Sequence, residues 1–238
     1  MNPNMLAANP FIVMDDGRKE VAEPRRSNYV QRGEWGAAGI FIFSPDLLEV
    51  VTLYGSRFKN RKVPSGGIEE SDFVPRSKDV VLAAANAAFR ELEEEAGIKG
   101  SQLRDVVKAD LEDVIRGDMK RYYFIAVAKE KFPIVPFRAQ EEGKNHYVDK
   151  QRWGTVENFL RGVSHDGEPY NTRYSLALAR IIQEMRVKPE FCDTKEVKDL
   201  FIDLGFKKMD LKEQIEVLVK RQEAEDEEAR ARRANRQF

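Results

Sequence analysis

A chain of 238 residues, 42% hydrophobic and carrying 14 Phe, has room for one sizeable domain plus extensions and material for a packed core. Its charged fraction of 34% exceeds the ~25% of an average soluble domain, while a formal net charge of −1 excludes the global basic excess of many nucleic-acid binders, so any anion-binding surface must come from local segregation of charge. The single cysteine, Cys192, excludes an internal disulfide and suits a reducing or mitochondrial compartment, and the longest apolar run, from Gly36 to Phe43, falls far short of the ~20 residues that cross a bilayer.

Residues 1–33 are polar and hold Pro3, Pro10 and Pro24. They read as an arm, with one short strand at Phe11 to Met14 and neither a secretory signal nor a clear transit peptide. From Ala37 to Phe43 the residues suit a strand, Ser44-Pro45-Asp46 a turn, and Leu48 to Tyr54 a returning strand, which together make a hairpin. The next stretch, with Pro64, Gly66, Gly67 and Pro75, is expected to hold no regular element. An alanine-rich helix is predicted from Val80 to Glu95, with Ser77 as N-cap and Gly97 as the stop. Arg121 to Ala128 reads as a buried strand, Gln151 to Gly154 as a shorter one, and Thr172 to Met185 as a helix.

Beyond Asp210, Leu211, Ile215, Leu218 and Val219 recur at helical spacing, and after Arg221 the chain is almost all charge and alanine. That pattern predicts a helix continued by a solvated helix or a disordered tail. The apolar stripe either packs back on its own domain or docks on a protein partner. Mixed strands and helices imply an α/β (α+β) fold with layers of sheet and helix. The division expected is an arm at 1–33, the main domain at 34–188 and a helical extension with charged tail at 189–238.

Chemistry concentrates in the segment from Arg90 to Ile98. Helical geometry puts Glu91, Glu94 and Glu95 on one stripe. Carboxylates so crowded destabilise a helix unless a cation neutralises them, and Mg²⁺ or Mn²⁺ does so well because hard cations favour oxygen ligands. Upstream, Pro64 to Glu69 forms a glycine turn where backbone can approach phosphate or metal closely. Small residues Ala83, Ala84, Ala85, Ala87 and Ala88 allow the helix to lie tightly on a sheet.

These residues resemble the Nudix box, G-x5-E-x7-R-E-U-x-E-E-x-G-U with U aliphatic. Arg90, Glu91, Leu92, Glu94, Glu95, Gly97 and Ile98 match every specified position of its right half. The left half departs: the stretch from Gly67 to Arg90 is nine positions longer than the family spacing, consistent with an insertion around Phe73 to Arg76. Counted back from Arg90, the family's first glutamate falls on Leu82, leaving Glu70, Asp72 and Asp79 as substitutes. The resemblance implies a mixed β-sheet sandwiched between helices and a pyrophosphohydrolase. Glu91, Glu94 and Glu95 would hold Mg²⁺ or Mn²⁺ with the Gly67 carbonyl, and Glu94, then Glu95, would be the general base. Arg90 would anchor loop to helix, with Gly66 and Gly97 structural. Since the first glutamate is mainly structural in the family, activity is expected to survive its displacement. Glu141 or Glu142 is the expected distal carboxylate.

Basic residues flank this region at Arg57, Lys59, Arg61 and Lys62, at Lys120 and Arg121, and in the arm at Arg25, Arg26 and Arg32. They suggest a cradle for a polyanion, which gives affinity without identity. The box, the Lys120 to Tyr123 strand start and the Arg152-Trp153 strand resemble diphosphoinositol polyphosphate phosphohydrolases. The extensions and insertion resemble Nudix subunits of mitochondrial mRNA-stability complexes, which would act on an RNA 5′ end. The expected partners are an RNA 5′ end or a nucleotide or inositol pyrophosphate, and no membrane. Location is intracellular, mitochondrial under the second resemblance and otherwise cytoplasmic. A subunit that binds an RNA 5′ end without catalysis is the non-enzymatic alternative. Base stacking would need an aromatic surface, with Trp35 and Tyr54, then Tyr122 and Phe137, as candidates against a plainer core or strand-edge role. Trp153 belongs to the core, and His146 and His165 to polar surface loops.

Overall fold

The computed structural model describes residues 35–116, 119–140, 147–164, 166–187 and 210–234. The arm, its Phe11–Met14 strand, Glu141, Glu142, His146, His165 and Cys192 lie outside them. In chain order the elements are β1 (Ala37–Phe43), β2 (Glu49–Gly55), β3 (Asn60–Lys62), β4 (Ser65–Gly67), α1 (Val80–Ala96), β5 (Leu103–Arg116), β6 (Met119–Ala128), β7 (Ala139–Gln140), β8 (Tyr147–Thr155), α2 (Val156–Arg161), α3 (Thr172–Val187) and α4 (Leu211–Ala234). One mixed sheet runs β5-β6-β1-β2-β8-β7, with β3 added to β2 and β4 to β1.

Alternation along β1 and β6 divides the core. Ala38, Ile40 and Ile42 with Tyr122, Phe124 and Ala126 face α1, whose alanines carry no bulk to hold the helix away. Phe41, Phe43, Tyr123 and Ile125 point to the opposite face, onto α2, α3 and α4. A strand buried on both faces reads as a continuous apolar run, which is why β1 and β6 stood out in the sequence. The result is the helix–sheet–helix sandwich expected.

β1 and β6 are parallel from Ala37↔Arg121 to Phe43↔Val127. Along its other edge β1 meets β2 at Phe43↔Val50, as the hairpin requires. Its lower half instead pairs with β4, Ala37 to Gly39 against Gly67 to Ser65. The glycine segment therefore does contain regular structure, a correction to the sequence reading. Two glycines and a serine give no hydrophobic alternation to betray a strand. A single 3-10 turn, Glu70–Asp72, follows.

The helix α1 starts on Asp79, whose carboxylate accepts from the Val81 and Leu82 amides. Ser77 is not the N-cap; its hydroxyl accepts from the Asp79 amide instead. Gly97 ends the helix in the left-handed region at φ 66°, where a side chain would be strained. The strand predicted at Gln151–Gly154 is the middle of the longer β8. β5 and α2 were not anticipated. The stripe on α4 packs back on the domain, with Leu211 4% and Leu218 1% exposed in the same core as α3. Its apolar face is thus not open to a protein partner, and α4 continues as helix to Ala234. Among the described residues no helix is long and apolar enough to cross a membrane.

Candidate active site

The C-terminal half of α1 lies over β4, and that contact brings the box together. Arg90 is its centre. Nε and Nη2 donate to the two carboxylate oxygens of Asp72 at 3.0 and 3.2 Å, and Nη2 also donates to the Gly67 carbonyl at 2.9 Å. Nη1 donates to Glu91 at 2.8 Å and to Glu94 at 3.2 Å. Burial acts to lower the Arg90 pKa, but Asp72 and Glu91 more than offset it and hold the guanidinium above its ordinary value. Arg90, on α1, thus ties Asp72 and the Gly67 carbonyl to the helix.

Of the three candidates for the first glutamate of the box, Asp72 is the one that meets Arg90. It is 4% exposed, and besides Arg90 it accepts from the Glu69 amide at 2.7 Å. Glu70 is exposed and Asp79 is spent on the helix N-terminus. Gly66 and Asp72 are six positions apart, the family's glycine-to-glutamate spacing, so the inserted residues fall between Asp72 and Arg90. Counting from Gly67 hid this.

Gly66 is the tightest point. A Cβ there would sit 1.9 Å from Glu91 Oε1, whereas one on Gly67 would meet nothing within 4 Å. Glycine at 66 makes the hollow that receives the Glu91 carboxylate. Glu91 and Glu94 both accept from the same Nη1, so one guanidinium nitrogen holds the two carboxylates. Burial is the chief cause raising the Glu94 carboxyl and the Glu91 charge adds to it, while Arg90 opposes both.

Glu95 does not share that point. Its carboxylate is 8% exposed and accepts from Lys62 Nζ at 2.7 Å and from the Ser65 amide at 3.0 Å. Burial pushes the Glu95 carboxyl up to about 7, against the pull of Lys62. Burial would lower the Lys62 ammonium, but Glu95 holds it above its ordinary value. Both Glu95 oxygens accept from donors, so the pair is ionic as it stands. Among the described residues no group of three or more His, Cys, Asp and Glu side chains is arranged around a single metal position. The donors that do fit a hard divalent cation are all oxygens: Glu91, Glu94 and the second lone pair of the Gly67 carbonyl.

Two cavities border this region. One, of about 440 Å³, includes Lys62 and Ser65 in its wall, the two residues that bind the Glu95 carboxylate. Arg57, Arg121, Arg173 and Tyr174 also line it, and α4 closes one side. Ser65 Oγ lies 2.5 Å from Tyr174 Oη, and the Arg121 guanidinium stacks over the Tyr174 ring at 5.3 Å. Burial acts to lower the Arg121 pKa, yet the tyrosines and Asp113 keep it above the ordinary value. The second cavity, of about 670 Å³, approaches the end of α1 through Gln151, which donates to the Glu95 backbone carbonyl at 2.7 Å. Neither is lined by Glu91, Glu94 or Glu95 themselves; the first borders them through Lys62 and Ser65.

Of the expected phosphate contacts, Arg57, Lys62 and Arg121 line this first cleft. Arg61 does not. It is 1% exposed, donates to the Lys150 carbonyl at 3.1 Å, and pairs with Glu168 at 2.7 Å and Asp166 at 3.7 Å. Strand alternation explains this, since neighbours on β3 point to opposite faces. Burial and the neighbouring Arg152 lower the Arg61 pKa, with Glu168 and Asp166 opposing. Lys59 and Lys120 are exposed and outside the cleft wall.

Neither expected stacking residue lines this cleft. Trp35 packs edge-on against Phe73 at 5.0 Å, and the Tyr54 ring carries Lys150 Nζ 4.7 Å above it. Tyr122 is buried at 8% exposure, and Phe137 lies against Gly97. Trp153 is only half-buried, its ring tilted at 53° to Phe132 with centroids 5.4 Å apart and Nε1 donating to the Phe132 carbonyl at 3.0 Å. Besides Tyr174, the aromatic residues that line the cleft are Phe58, 65% exposed, and Tyr147. Ser65, Arg173 and Tyr174 were not anticipated; Arg173 and Tyr174 lie some 80 residues beyond the box and carry no local motif.

No protein-family model matches the chain, and no curated protein matches it significantly. Solved structures do. A Nudix hydrolase from M. smegmatis, RenU, is 21% identical, with 65% of this chain and 87% of that one covered and a TM-score of 0.40. The E. coli dihydroneopterin triphosphate pyrophosphohydrolase is 15% identical over 63% of this chain and 95% of its own, at a TM-score of 0.42. A C. elegans Ap4A hydrolase is 18% identical over 64% and 99%, at 0.41.

Proposed function

We propose that the chain is a metal-dependent, Nudix-type pyrophosphohydrolase acting on a nucleoside polyphosphate end, with the 5′ end of RNA as its substrate. The observation that carries this reading is the Arg90 clamp: Asp72 and Gly67 hold the guanidinium, and the guanidinium holds Glu91 and Glu94 together above the Gly66 hollow. Glu91, Glu94 and the Gly67 carbonyl would hold Mg²⁺ or Mn²⁺, which supplies an acidified water and positive charge for the leaving phosphate. Glu94, the most exposed of the three glutamates at 58%, would accept a proton as general base. Lys62 and Arg121 bind phosphate oxygens from the cleft side, and Lys62 keeps Glu95 in place from below. Phe58 and Tyr147 offer faces on which a terminal base can stack. An intracellular, mitochondrial setting goes with the RNA reading.

The test is incubation of the protein and a Glu94→Gln variant with 5′-triphosphorylated RNA and, separately, a diphosphoinositol polyphosphate, each with Mg²⁺ or Mn²⁺. Release of pyrophosphate or phosphate from RNA, reduced at least ~100-fold in the variant, supports the proposal. Turnover of the inositol compound alone replaces the substrate. RNA binding without any turnover removes the catalytic assignment.

A further inference from the structure

The cleft beside Lys62 is not uniformly basic. Its lining holds the cations Arg57, Lys62 and Arg121, but the side that α4 closes carries Glu225 and Asp226. Two tethers fix that wall. Thr172 Oγ1 donates to Glu225 at 2.6 Å, and the Arg173 guanidinium stands 3.7 Å from Asp226 and 3.6 Å from Asp113, both beyond good hydrogen-bond length. Leu211 and Leu218 bury the same helix face, so the carboxylates are held over the cleft by the core. Glu95 balances Lys62, Arg173 stands against Asp226, and Arg221 donates to Glu225 at 3.2 Å, so Arg57 and Arg121 carry what remains of the cleft's positive charge.

We propose that Glu225 and Asp226 are specificity determinants that limit the anionic charge the cleft accepts: it takes the linear 5′-polyphosphate end of a nucleotide and rejects a densely phosphorylated ring. This rests on the pyrophosphohydrolase reading, because it treats the cleft as the seat of that substrate. A linear polyphosphate can run along the Lys62–Arg121 side while its nucleoside meets the wall. A ring bearing phosphates all round must present some of them to the two carboxylates. Such repulsion in a partly solvated cleft weakens binding by roughly five- to tenfold per close pair, and it falls as salt rises.

Titration calorimetry on the full chain without added divalent metal measures this apart from turnover. The ligands are ATP, a 5′-triphosphorylated oligoribonucleotide and inositol hexakisphosphate. The wild type is expected to bind either triphosphate more tightly than the hexakisphosphate, and the preferred triphosphate tells whether a free nucleotide or an RNA end is the source. Glu225→Gln with Asp226→Asn should strengthen hexakisphosphate binding at least ~10-fold and ATP binding by less. Glu216→Gln with Glu227→Gln, which neutralises exposed positions on the far side of the same helix, should leave the ratio within about twofold. If the double variant does not fold, Asp226→Asn alone keeps the Thr172 tether and should still shift the ratio about threefold.

Tighter hexakisphosphate binding by the wild type overturns the proposal, as does an unchanged ratio in the variants or an equal shift in the control pair. Binding of neither ligand class removes the cleft as the seat of substrate. Discrimination that persists in a protein without pyrophosphatase turnover sinks only the catalytic reading, and turnover without discrimination sinks only this one.

Discussion

Replacing Asp72 by alanine tests how the box is held together. The carboxylate is 4% exposed and gives up three bonds: two from Arg90, at 3.0 and 3.2 Å, and one from the Glu69 amide, at 2.7 Å. Breaking a buried ion pair by removing one partner costs ~3–5 kcal/mol, because the other charge is left behind. Here Arg90 is 21% exposed and keeps Glu91, Glu94 and the Gly67 carbonyl, which places the loss at the lower end, about 3 kcal/mol. For a chain of this size that lowers Tm by roughly 6–12 °C. Asp72→Asn keeps an acceptor and should lose about half as much. Urea and thermal unfolding followed by circular dichroism give both values, with Glu70→Ala as the exposed comparison. A loss below about 1 kcal/mol for Asp72→Ala, or an equal loss for Glu70→Ala, would refute the assignment of Asp72 as the substitute for the first glutamate.

Neighbouring glycines should behave oppositely. Gly66→Ala puts a methyl into the Glu91 carboxylate and should cut kcat at least ~100-fold, whereas Gly67→Ala, with open space around it, should stay within ~1 kcal/mol of wild-type stability; steady-state kinetics and urea unfolding of the two variants decide this. Leu218→Ala should cost ~2–5 kcal/mol and expose α4 to limited proteolysis, since Leu218 is 1% exposed in the core; an uncleaved helix argues against its docking. The Arg152 hydrogen bond is the main cause holding the Asp166 carboxyl below its ordinary value, so its stabilisation is complete above the unfolded pKa of ~3.9 and is lost as pH falls through the folded value. Asp166→Asn should therefore be less stable than wild type near pH 7, with the gap closing below about pH 4; a gap that widens on acidification contradicts the sign.

The parts legible in the sequence are those where local pattern and tertiary demand agree. β1 and β6 are continuous apolar runs because both faces are buried, and α1 shows its stop at Gly97 and its alanine face. β4 was invisible because pairing with β1, rather than any side-chain pattern, makes Ser65–Gly67 a strand. Arg61 and Lys62 are adjacent in sequence yet part company: β3 sends Arg61 to Glu168 and Lys62 to Glu95. The same-stripe geometry of Glu91, Glu94 and Glu95 was right as helical spacing, but spacing could not show that Lys62 draws Glu95 aside. Tyr174, Arg173 and the acids of α4 enter only through long-range packing.

The alanine seam of α1 sets a length scale for the whole site. Ala84, Ala85 and Ala88 are 0% exposed, and their methyls fix how near the helix axis comes to the sheet. Glu91 reaches the Gly66 hollow only because that separation is small. A residue enlarged two turns away would lift the carboxylates off the glycine strand without touching any of them. The spacing of the chemistry is thus borrowed from side chains that never meet a ligand.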